Sequence, residues 1–317
     1  MPSRNSALLG VFCLVAGIAV FSLQDVILKR LSGDYPLHQA MVLRSLAAAP
    51  LLFALAVAAG GARSLFAPGW TQMVMRGFVS FAAYTCYYLA LPAMPIATTI
   101  ALYFSAPLMI VVFAVFMLGD RVSLPRWLAI GFGFLGMLFI LRPDAAPVDL
   151  AAILAVLAGV AYAFSMILAR MQGAKHSAAA LAFHGNLVFL TLALLLSLIF
   201  GRGTWNSADL HPSIGFLARG WVMPSWVDMG LMASCGVIAA LGLTLLNQAY
   251  RIAPAPVLAP FEYTALLWGL VWGWTFWGDW PDGSTWIGIV IIVGSGLVVL
   301  WREAQERRVE SRSPALA

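Results

Sequence analysis

Charged side chains inside apolar segments are the residues of this chain most able to do chemistry. Asp25 and Arg44 each lie within a long apolar run, nine residues before and ten residues after Asp34. A charge at the bilayer centre costs about 2.5–3.5 kcal/mol on insertion scales, so such groups mark pairing or binding sites. In an antiparallel helical hairpin that turns at Asp34, both side chains lie at the same depth. We therefore predict an ion pair between Asp25 and Arg44.

Lys29 is a third charge in the same region. It lies four residues after Asp25, on the same face of the predicted helix, and is expected to compete for that carboxylate. Two interpretations of Asp25, Lys29 and Arg44 remain open. They form either a structural ion pair that fixes helix packing, or a gate or substrate anchor near the outer side.

Glu262 is the second intramembrane carboxyl of interest. It follows Pro254, Pro256 and Pro260 in another apolar run. Prolines free backbone carbonyls, which membrane helices tolerate where the backbone lines a cavity. Glu262 is therefore a candidate for binding a substrate ammonium or carrying a proton, and hydrogen bonding to a neighbouring helix is the alternative.

Scattered polar and aromatic side chains complete the candidate set, because a small-molecule site needs a few hydrogen-bonding groups among aromatic ones. Tyr87 and Tyr88 point to different faces of one helix, so we expect at most one of them to line a cavity. Trp268 and Trp272 are one turn apart and either stack on a flat substrate or face lipid. His184 has no metal-ligating neighbour in sequence and is expected to serve helix packing. The predicted cavity residues are Gln24, Asp25, Arg44, Tyr84, Tyr88, Tyr103, Tyr162, Asn247, Gln248, Glu262, Trp268 and Trp272.

The elements that position these residues must be membrane-spanning helices. The chain is 62% hydrophobic and 10% charged, which excludes an ordinary soluble domain. Its apolar runs are long and continuous, whereas membrane barrels show short alternating segments. The predicted fold class is an all-α integral membrane protein. Ten spans are expected, at about residues 7–31, 37–59, 72–91, 96–118, 126–141, 149–171, 178–200, 227–249, 256–278 and 284–301.

An internal repeat organises these spans. Residues 90–138 recur as residues 249–297 without a gap, at an offset of 159 residues. If the full repeats hold an odd number of spans, as five plus five would, the two halves must lie upside down relative to each other, as in secondary transporters. The predicted halves are residues 1–145 and 146–303, followed by a cytoplasmic tail at 304–317. The identities are Ala90/Ala249, Pro95/Pro254, Ala106/Ala265, Gly119/Gly278, Asp120/Asp279, Trp127/Trp286, Ile130/Ile289 and Leu138/Leu297.

A change of register separates the two halves. Phe21 and Ser22 match Phe164 and Ser165 at an offset of 143 residues rather than 159. The long connection at residues 201–226 accounts for the difference, and we expect it to lie on the membrane surface. Small residues in spans five and ten are expected to let helices approach closely, either between halves or between protomers. They are Gly131, Gly133, Gly136, Gly288, Gly294 and Gly296.

The basic residues indicate orientation. With the N-terminus in the cytoplasm, the inner segments hold twelve Lys and Arg residues and the outer segments five, so both termini are predicted to be cytoplasmic. The charges are scattered singly, which argues against nucleic acid as a partner. Three cysteines lie in apolar runs and are read as small hydrophobic residues. The chain shows neither a phosphate-binding loop nor a catalytic cluster, so neither an ATP-driven pump nor an enzyme is expected, and no cofactor is implied.

Several short motifs together resemble the EamA-type drug/metabolite transporters. The resemblance covers nearly the whole chain, although Gly119-Asp120 and Gly278-Asp279 stand where the family usually has Gly-Glu. The motifs are Phe21-Ser22-Leu23-Gln24-Asp25 through Lys29, Arg44, Tyr88-Leu89-Ala90-Leu91 before Pro95, Ser105-Ala106-Pro107, Leu118-Gly119-Asp120 and Arg142-Pro143.

The resemblance implies a secondary carrier of small metabolites in a bacterial inner membrane, working by alternating access as a monomer or homodimer. Its members carry amino acids, nucleotide-like compounds, vitamins or drugs. Export of amino acids or related zwitterionic or aromatic compounds is the favoured reading, and import of a vitamin or nucleotide-like metabolite is the alternative. A membrane enzyme, a lipid flippase and a passive channel are the readings from other classes.

Overall fold

The computed structural model describes residues 4–60, 70–119, 122–141, 148–172, 178–252, 258 and 261–312, and this part of the chain is helical without strands. The named helices are α1 (Arg4–Leu31), α2 (Leu37–Gly60), α3 (Trp70–Ala90), α4 (Ile96–Tyr103), α5 (Ala106–Leu118), α6 (Leu124–Leu141), α7 (Leu150–Gln172), α8 (Ala178–Phe200), α9 (Pro212–Ala218), α10 (Trp226–Ile252), α11 (Thr264–Trp277) and α12 (Gly283–Arg312).

The helices make this a multi-pass membrane protein. Among the described residues, six helical segments are long and apolar enough to cross a membrane, and two shorter apolar helices, Trp127–Leu141 and Gly283–Val298, accompany them. The six are Leu8–Leu31, Leu37–Ala58, Ile96–Leu118, Leu150–Leu168, Ala182–Phe200 and Trp226–Leu246. Apolar side chains face lipid on the outside of such a bundle, which explains the many exposed leucines and phenylalanines.

The fourth predicted span is broken in its middle. α4 ends at Tyr103 and α5 begins at Ala106, with Phe104 and Ser105 in a turn between them. Pro107, in the first turn of α5, has no backbone N–H and its ring clashes with the carbonyl four residues earlier, so a continuous helix is disfavoured. Tyr263, which lies 159 residues after Phe104, is likewise non-helical at the start of α11.

The ends of α5 and α11 also match. Gly119 and Gly278 cap these helices with φ of 71° and 68°, a left-handed conformation that glycine adopts without steric penalty. Asp120, the partner of Asp279 in the repeat, lies outside the described residues, as do the prolines at 254, 256 and 260. The breaks and caps show that local structure recurs at the offset found in the sequence.

The helices pack in a regular pattern. α1 packs along α10, α3 along α7, α2 along α8, and α6 along α12, while α4 contacts α11. A Cβ atom on Gly136 of α6 would lie 2.9 Å from Ile291 and 3.0 Å from the carbonyl oxygen of Gly288 on α12. The predicted close approach of helices is therefore confirmed between α6 and α12 at Gly136 and Gly288. Gly131 and Gly294 face open space within the described part of the chain.

The long connection after α8 contains the short helix α9 and is held against the bundle. The expected surface loop is tied to the ends of α1 and α2: Arg219 Nη1 donates to the Ser32 carbonyl at 2.7 Å, and Gln39 Nε2 donates to the Val222 carbonyl at 2.7 Å. The side chain of Phe216 on α9 is buried. The loop is thus anchored to the bundle by Phe216, while Trp205, Met223 and Trp226 remain exposed, and its position on the membrane surface stays a prediction. α12 also continues as a helix to Arg312, past the predicted start of the tail at 304.

Candidate functional site

A buried polar network joins the first three helices. Arg44 on α2 donates from Nε to Oε1 of Gln24 on α1 at 3.0 Å. Nε2 of the same amide donates to the hydroxyl of Tyr88 on α3. Gln24 is fully buried, and Tyr88 and Arg44 are 1% and 6% exposed. The network therefore places a permanent positive charge inside the bundle, oriented by a single glutamine.

Asp25 belongs to the same region but does not pair with Arg44. Its Oδ2 accepts a hydrogen bond from Tyr87 Oη at 3.0 Å. The predicted Asp25–Arg44 ion pair is wrong, because the neighbouring Gln24 faces α2 and takes the guanidinium instead. Consecutive helical residues point about 100° apart, so equal depth does not make them share a partner.

Tyr87 and Tyr88 both reach this network, against the expectation that only one would do so. Their rings are 5.6 Å apart at 69°, and they serve Asp25 and Gln24, two neighbouring residues of α1. Since α3 contacts α1, α4, α7 and α8, more than one of its faces is turned into the bundle.

Lys29 points away from Asp25, toward the connection after α3 and the turn after α11. Its Nζ donates to the carbonyl oxygen of Met94 at 2.6 Å, lies 3.5 Å from Oδ2 of Asp279, and sits 5.0 Å from the centre of the Trp277 ring. The expected competition for Asp25 is therefore wrong. These residues border a cavity of about 560 Å³ that also includes Pro92 and Phe276.

A continuous set of aromatic rings extends from the network. Tyr84 stacks on Tyr88 with centroids 6.1 Å apart, Tyr87 lies 5.5 Å from Tyr103, and Tyr103 lies 5.4 Å from Tyr162. Tyr84, Tyr103 and Tyr162 are half-buried. The predicted tyrosines from α3, α4 and α7 are thus brought together, with hydroxyl groups available beside flat apolar faces.

Glu262 lies at the far end of these rings. It is half-buried and interacts electrostatically with Tyr103, Tyr162 and Tyr263. Arg76 acts in the same way on Tyr84 and Tyr162. The aromatic cluster therefore has Arg44 and Asp25 at one end and Glu262 at the other, with Arg76 acting on tyrosines of both parts.

The remaining candidates are distributed around this cluster. Trp272 donates from Nε1 to Oγ of Ser22 at 2.8 Å and stacks on Trp268 at 5.7 Å, so it connects α11 to α1. Gln248 is half-buried on α10. Asn247 is in the same helix, but its side chain lies outside the described residues.

Some of the residues in contact here were not identified from the sequence. The sequence marks Asp279 only as part of the internal repeat and its Gly-Asp motif, and Phe189, whose ring lies 5.5 Å from the Arg44 guanidinium, carries no polar signal. Aromatic residues one or two helical turns apart on α3, at positions 81, 84 and 88, were the signal for an inward aromatic face.

Comparison with known proteins identifies relatives among bacterial transporters. The pseudopaline exporter CntI of Pseudomonas aeruginosa is 26% identical over 286 residues, which cover 90% of this chain and 93% of that protein. The S-adenosylmethionine uptake transporter of Rickettsia conorii is 26% identical over 241 residues, 75% of each chain. The riboflavin transporter of Rhizobium johnstonii is 29% identical over 219 residues, 69% of this chain and 66% of that protein.

The fold is also found among solved structures. One of them, described only as the crystal structure of a protein, superposes with a TM-score of 0.64 at 19% identity and covers 94% of this chain and 98% of the other. At this identity the likeness concerns the fold alone. The sequence profile of the EamA-like transporter family matches twice, at residues 8–142 and 149–301. The chain therefore belongs to the EamA-like transporter family.

Proposed function

We propose that this protein is a secondary transporter that moves amino acids or related zwitterionic or aromatic metabolites across the bacterial inner membrane, with export favoured. The single observation that carries the proposal is the placement of Asp25 and Arg44 among hydrogen-bonding tyrosines inside apolar helices. Ionisable groups at membrane depth are retained where substrates or protons pass.

The proposed architecture has ten spans in two inverted halves, residues 1–145 and 146–303, with both termini in the cytoplasm. The packing pattern supports it. If each helix is exchanged for its counterpart five spans away, the α1–α10 pair becomes the α7–α3 pair, and the α2–α8 and α6–α12 pairs map onto themselves. Such exchange is what a two-fold relation between halves requires.

Contacts between connections support the same topology. Lys29 at the end of α1 reaches Met94 after α3 and Asp279 after α11. His211 after α8 lies 3.2 Å from Asp149, just before α7. Helix ends that the ten-span topology puts on one side of the membrane are therefore in contact with one another. We assign this end of the bundle to the outer side of the membrane.

We further propose that Lys29 and Asp279 form the outer gate. They connect α1 of the first half with the α11–α12 turn of the second. Alternating access needs contacts between halves that can break and reform. An ion pair with one partly exposed member suits that role, because its free energy is about 0.2–1 kcal/mol.

The relatives support small metabolites without agreeing on direction. One is named an exporter and two are named for uptake or transport. Export is favoured here because the match to the exporter covers 90% of this chain. Import of a vitamin or nucleotide-like metabolite is the second candidate, favoured by the match to the riboflavin transporter.

The test is counterflow in liposomes. Purified protein is reconstituted into liposomes, which are preloaded separately with the common amino acids, several vitamins and several nucleotides. Uptake of the same compound in labelled form is then measured. Accelerated uptake of an amino acid is the expected result. Counterflow of vitamins or nucleotides alone would replace the proposal by its alternative, and an absence of counterflow throughout would contradict both.

A further inference from the structure

Arg44 is held at one nitrogen, and its two terminal nitrogens have no hydrogen-bond acceptor among the described residues. Its Nε is held by Gln24, and the guanidinium carbon lies 5.5 Å from the Phe189 ring. Neither terminal nitrogen donates to a residue in the described part of the chain. Guanidinium groups bind carboxylates through two parallel N–H groups. Within the described residues, the arrangement presents such a pair with Nε alone hydrogen-bonded to the protein.

Asp25, which carries the opposite charge, is likewise held by one hydrogen bond. One carboxylate oxygen accepts from Tyr87, and within the described ranges no cation lies within ion-pair distance of it. Lys29, one turn further along α1, is held by Met94 and Asp279 instead. The negative charge therefore has one hydroxyl donor and no ionic partner from the described part of the protein.

The two charges border the same small region without touching. Both Asp25 and Arg44 act electrostatically on Tyr84, Tyr88 and Cys235, yet they form no ion pair. Separated, incompletely compensated charges in a low-dielectric interior are unfavourable unless another group bridges them. A zwitterion supplies both missing charges at once.

We infer that Arg44 binds the carboxylate of the substrate and Asp25 binds its ammonium group, with Gln24 as the positioning residue for Arg44. This inference rests on the proposed transport function and narrows it to α-amino acids or similar zwitterions. The half-buried rings of Tyr84, Tyr103 and Tyr162 then contact the substrate's side chain, which favours flat or aromatic groups.

The test separates the two charges chemically. For the amino acid with the fastest counterflow, its carboxamide lacks the carboxylate and its deaminated acid lacks the ammonium. The unlabelled amino acid, its carboxamide and its deaminated acid are each added as competitors, and the concentration that halves counterflow of the labelled amino acid is measured. The measurement is made for reconstituted wild type, Arg44→Gln, Asp25→Asn and Gln24→Ala. Arg30→Gln is the matched control, since Arg30 is an exposed arginine at the end of α1.

The expected result is a crossed pattern. In wild type both derivatives bind about 10- to 100-fold more weakly than the amino acid, the range for a hydrogen bond to a charged group. Arg44→Gln removes the preference over the carboxamide and keeps the preference over the deaminated acid, and Asp25→Asn does the reverse. Gln24→Ala reduces the carboxylate preference by a smaller factor while both charges remain, and Arg30→Gln resembles wild type.

The failures are distinguishable. If wild type shows no counterflow of any amino acid, the proposed function is contradicted. If wild type transports amino acids but Arg44→Gln and Asp25→Asn weaken all three compounds equally, or leave the preferences unchanged, the inference alone is overturned. If Arg44→Gln does not fold, Gln24→Ala, which retains both charges, decides the carboxylate half of the inference; if Asp25→Asn does not fold, a wild type that does not prefer the amino acid over the deaminated acid overturns the ammonium half.

Discussion

The rings of Phe104 and Tyr263 lie 5.0 Å apart, and the two residues occupy equivalent positions 159 residues apart in the repeat. Each lies at a helix break, before α5 and before α11. In a two-fold arrangement, equivalent residues touch only near the symmetry axis. Under the proposed two-fold relation between the halves, this contact lies near the symmetry axis, and Tyr103 and Glu262 are the chain neighbours of the two residues.

The inverted relation predicts opposite labelling of Asp120 and Asp279. In a background without the native cysteines, Asp120→Cys and Asp279→Cys are treated in cells with a membrane-impermeant thiol reagent. Only the cysteine at 279 is expected to react from outside. Gly33→Cys is the control, since Gly33 borders the same outer cavity as Asp279. Labelling of positions 120 and 279 from one compartment would contradict the inverted repeat.

Loss of the outer gate is expected to open the outer cavity. Lys29→Met removes the bonds to Met94 and Asp279, so a thiol reagent should reach a cysteine at buried Val26, which borders this cavity, about 2- to 5-fold faster. The labelling rate of Val26→Cys is measured with and without Lys29→Met.

Arg30→Met serves as the neighbouring control and should leave the labelling rate unchanged. The double change Lys29→Asp with Asp279→Lys should restore part of the slow labelling, because it reverses the ion pair but not the bond to Met94. Equal rates in all variants would argue that Lys29 has no role in closure.

The α6–α12 interface predicts unequal effects for two glycines on one helix. Gly136→Ala forces a Cβ to 2.9 Å from Ile291 and 3.0 Å from the Gly288 carbonyl, and overpacking of this kind lowers stability by about 1–3 kcal/mol. Gly131→Ala meets nothing within 4 Å and should be neutral or slightly stabilising, since alanine favours the helix. Thermal unfolding in detergent distinguishes the two, and similar melting temperatures would show that the helices separate there.

Glu262→Gln is expected to reduce transport about tenfold, comparable to the loss of one hydrogen bond to a charged group. The carboxyl is half-buried beside Tyr103 and Tyr162, where an amide keeps the shape and loses the charge. Counterflow is measured between pH 5 and pH 8, together with elution volume as a check of folding. Normal rates at every pH would remove both its substrate-binding and its proton-carrying roles and leave a contact between helices.

Several properties of this protein follow from the linear sequence. Several helices were predicted to within a few residues, for example α2 at Leu37–Gly60 against residues 37–59, because hydrocarbon thickness and backbone hydrogen bonding leave few alternatives. The Gly-Asp turns at Gly119 and Gly278 and the motifs of the family resemblance are also visible in the sequence, because the residues that make a turn are close together in the chain. Pro107 is a local signal for the break at Phe104, but counting apolar residues alone predicts one continuous span there.

Only the tertiary structure decided which polar groups meet. Gln24 rather than Asp25 receives Arg44, Tyr87 joins Tyr88 in the network, and Lys29 reaches Asp279, 250 residues away. Depth along a helix follows from residue counting, but partner choice depends on the rotation of each helix about its axis. That rotation is set by packing against neighbours distant in sequence, and in an almost uniformly apolar span the residue pattern barely constrains it.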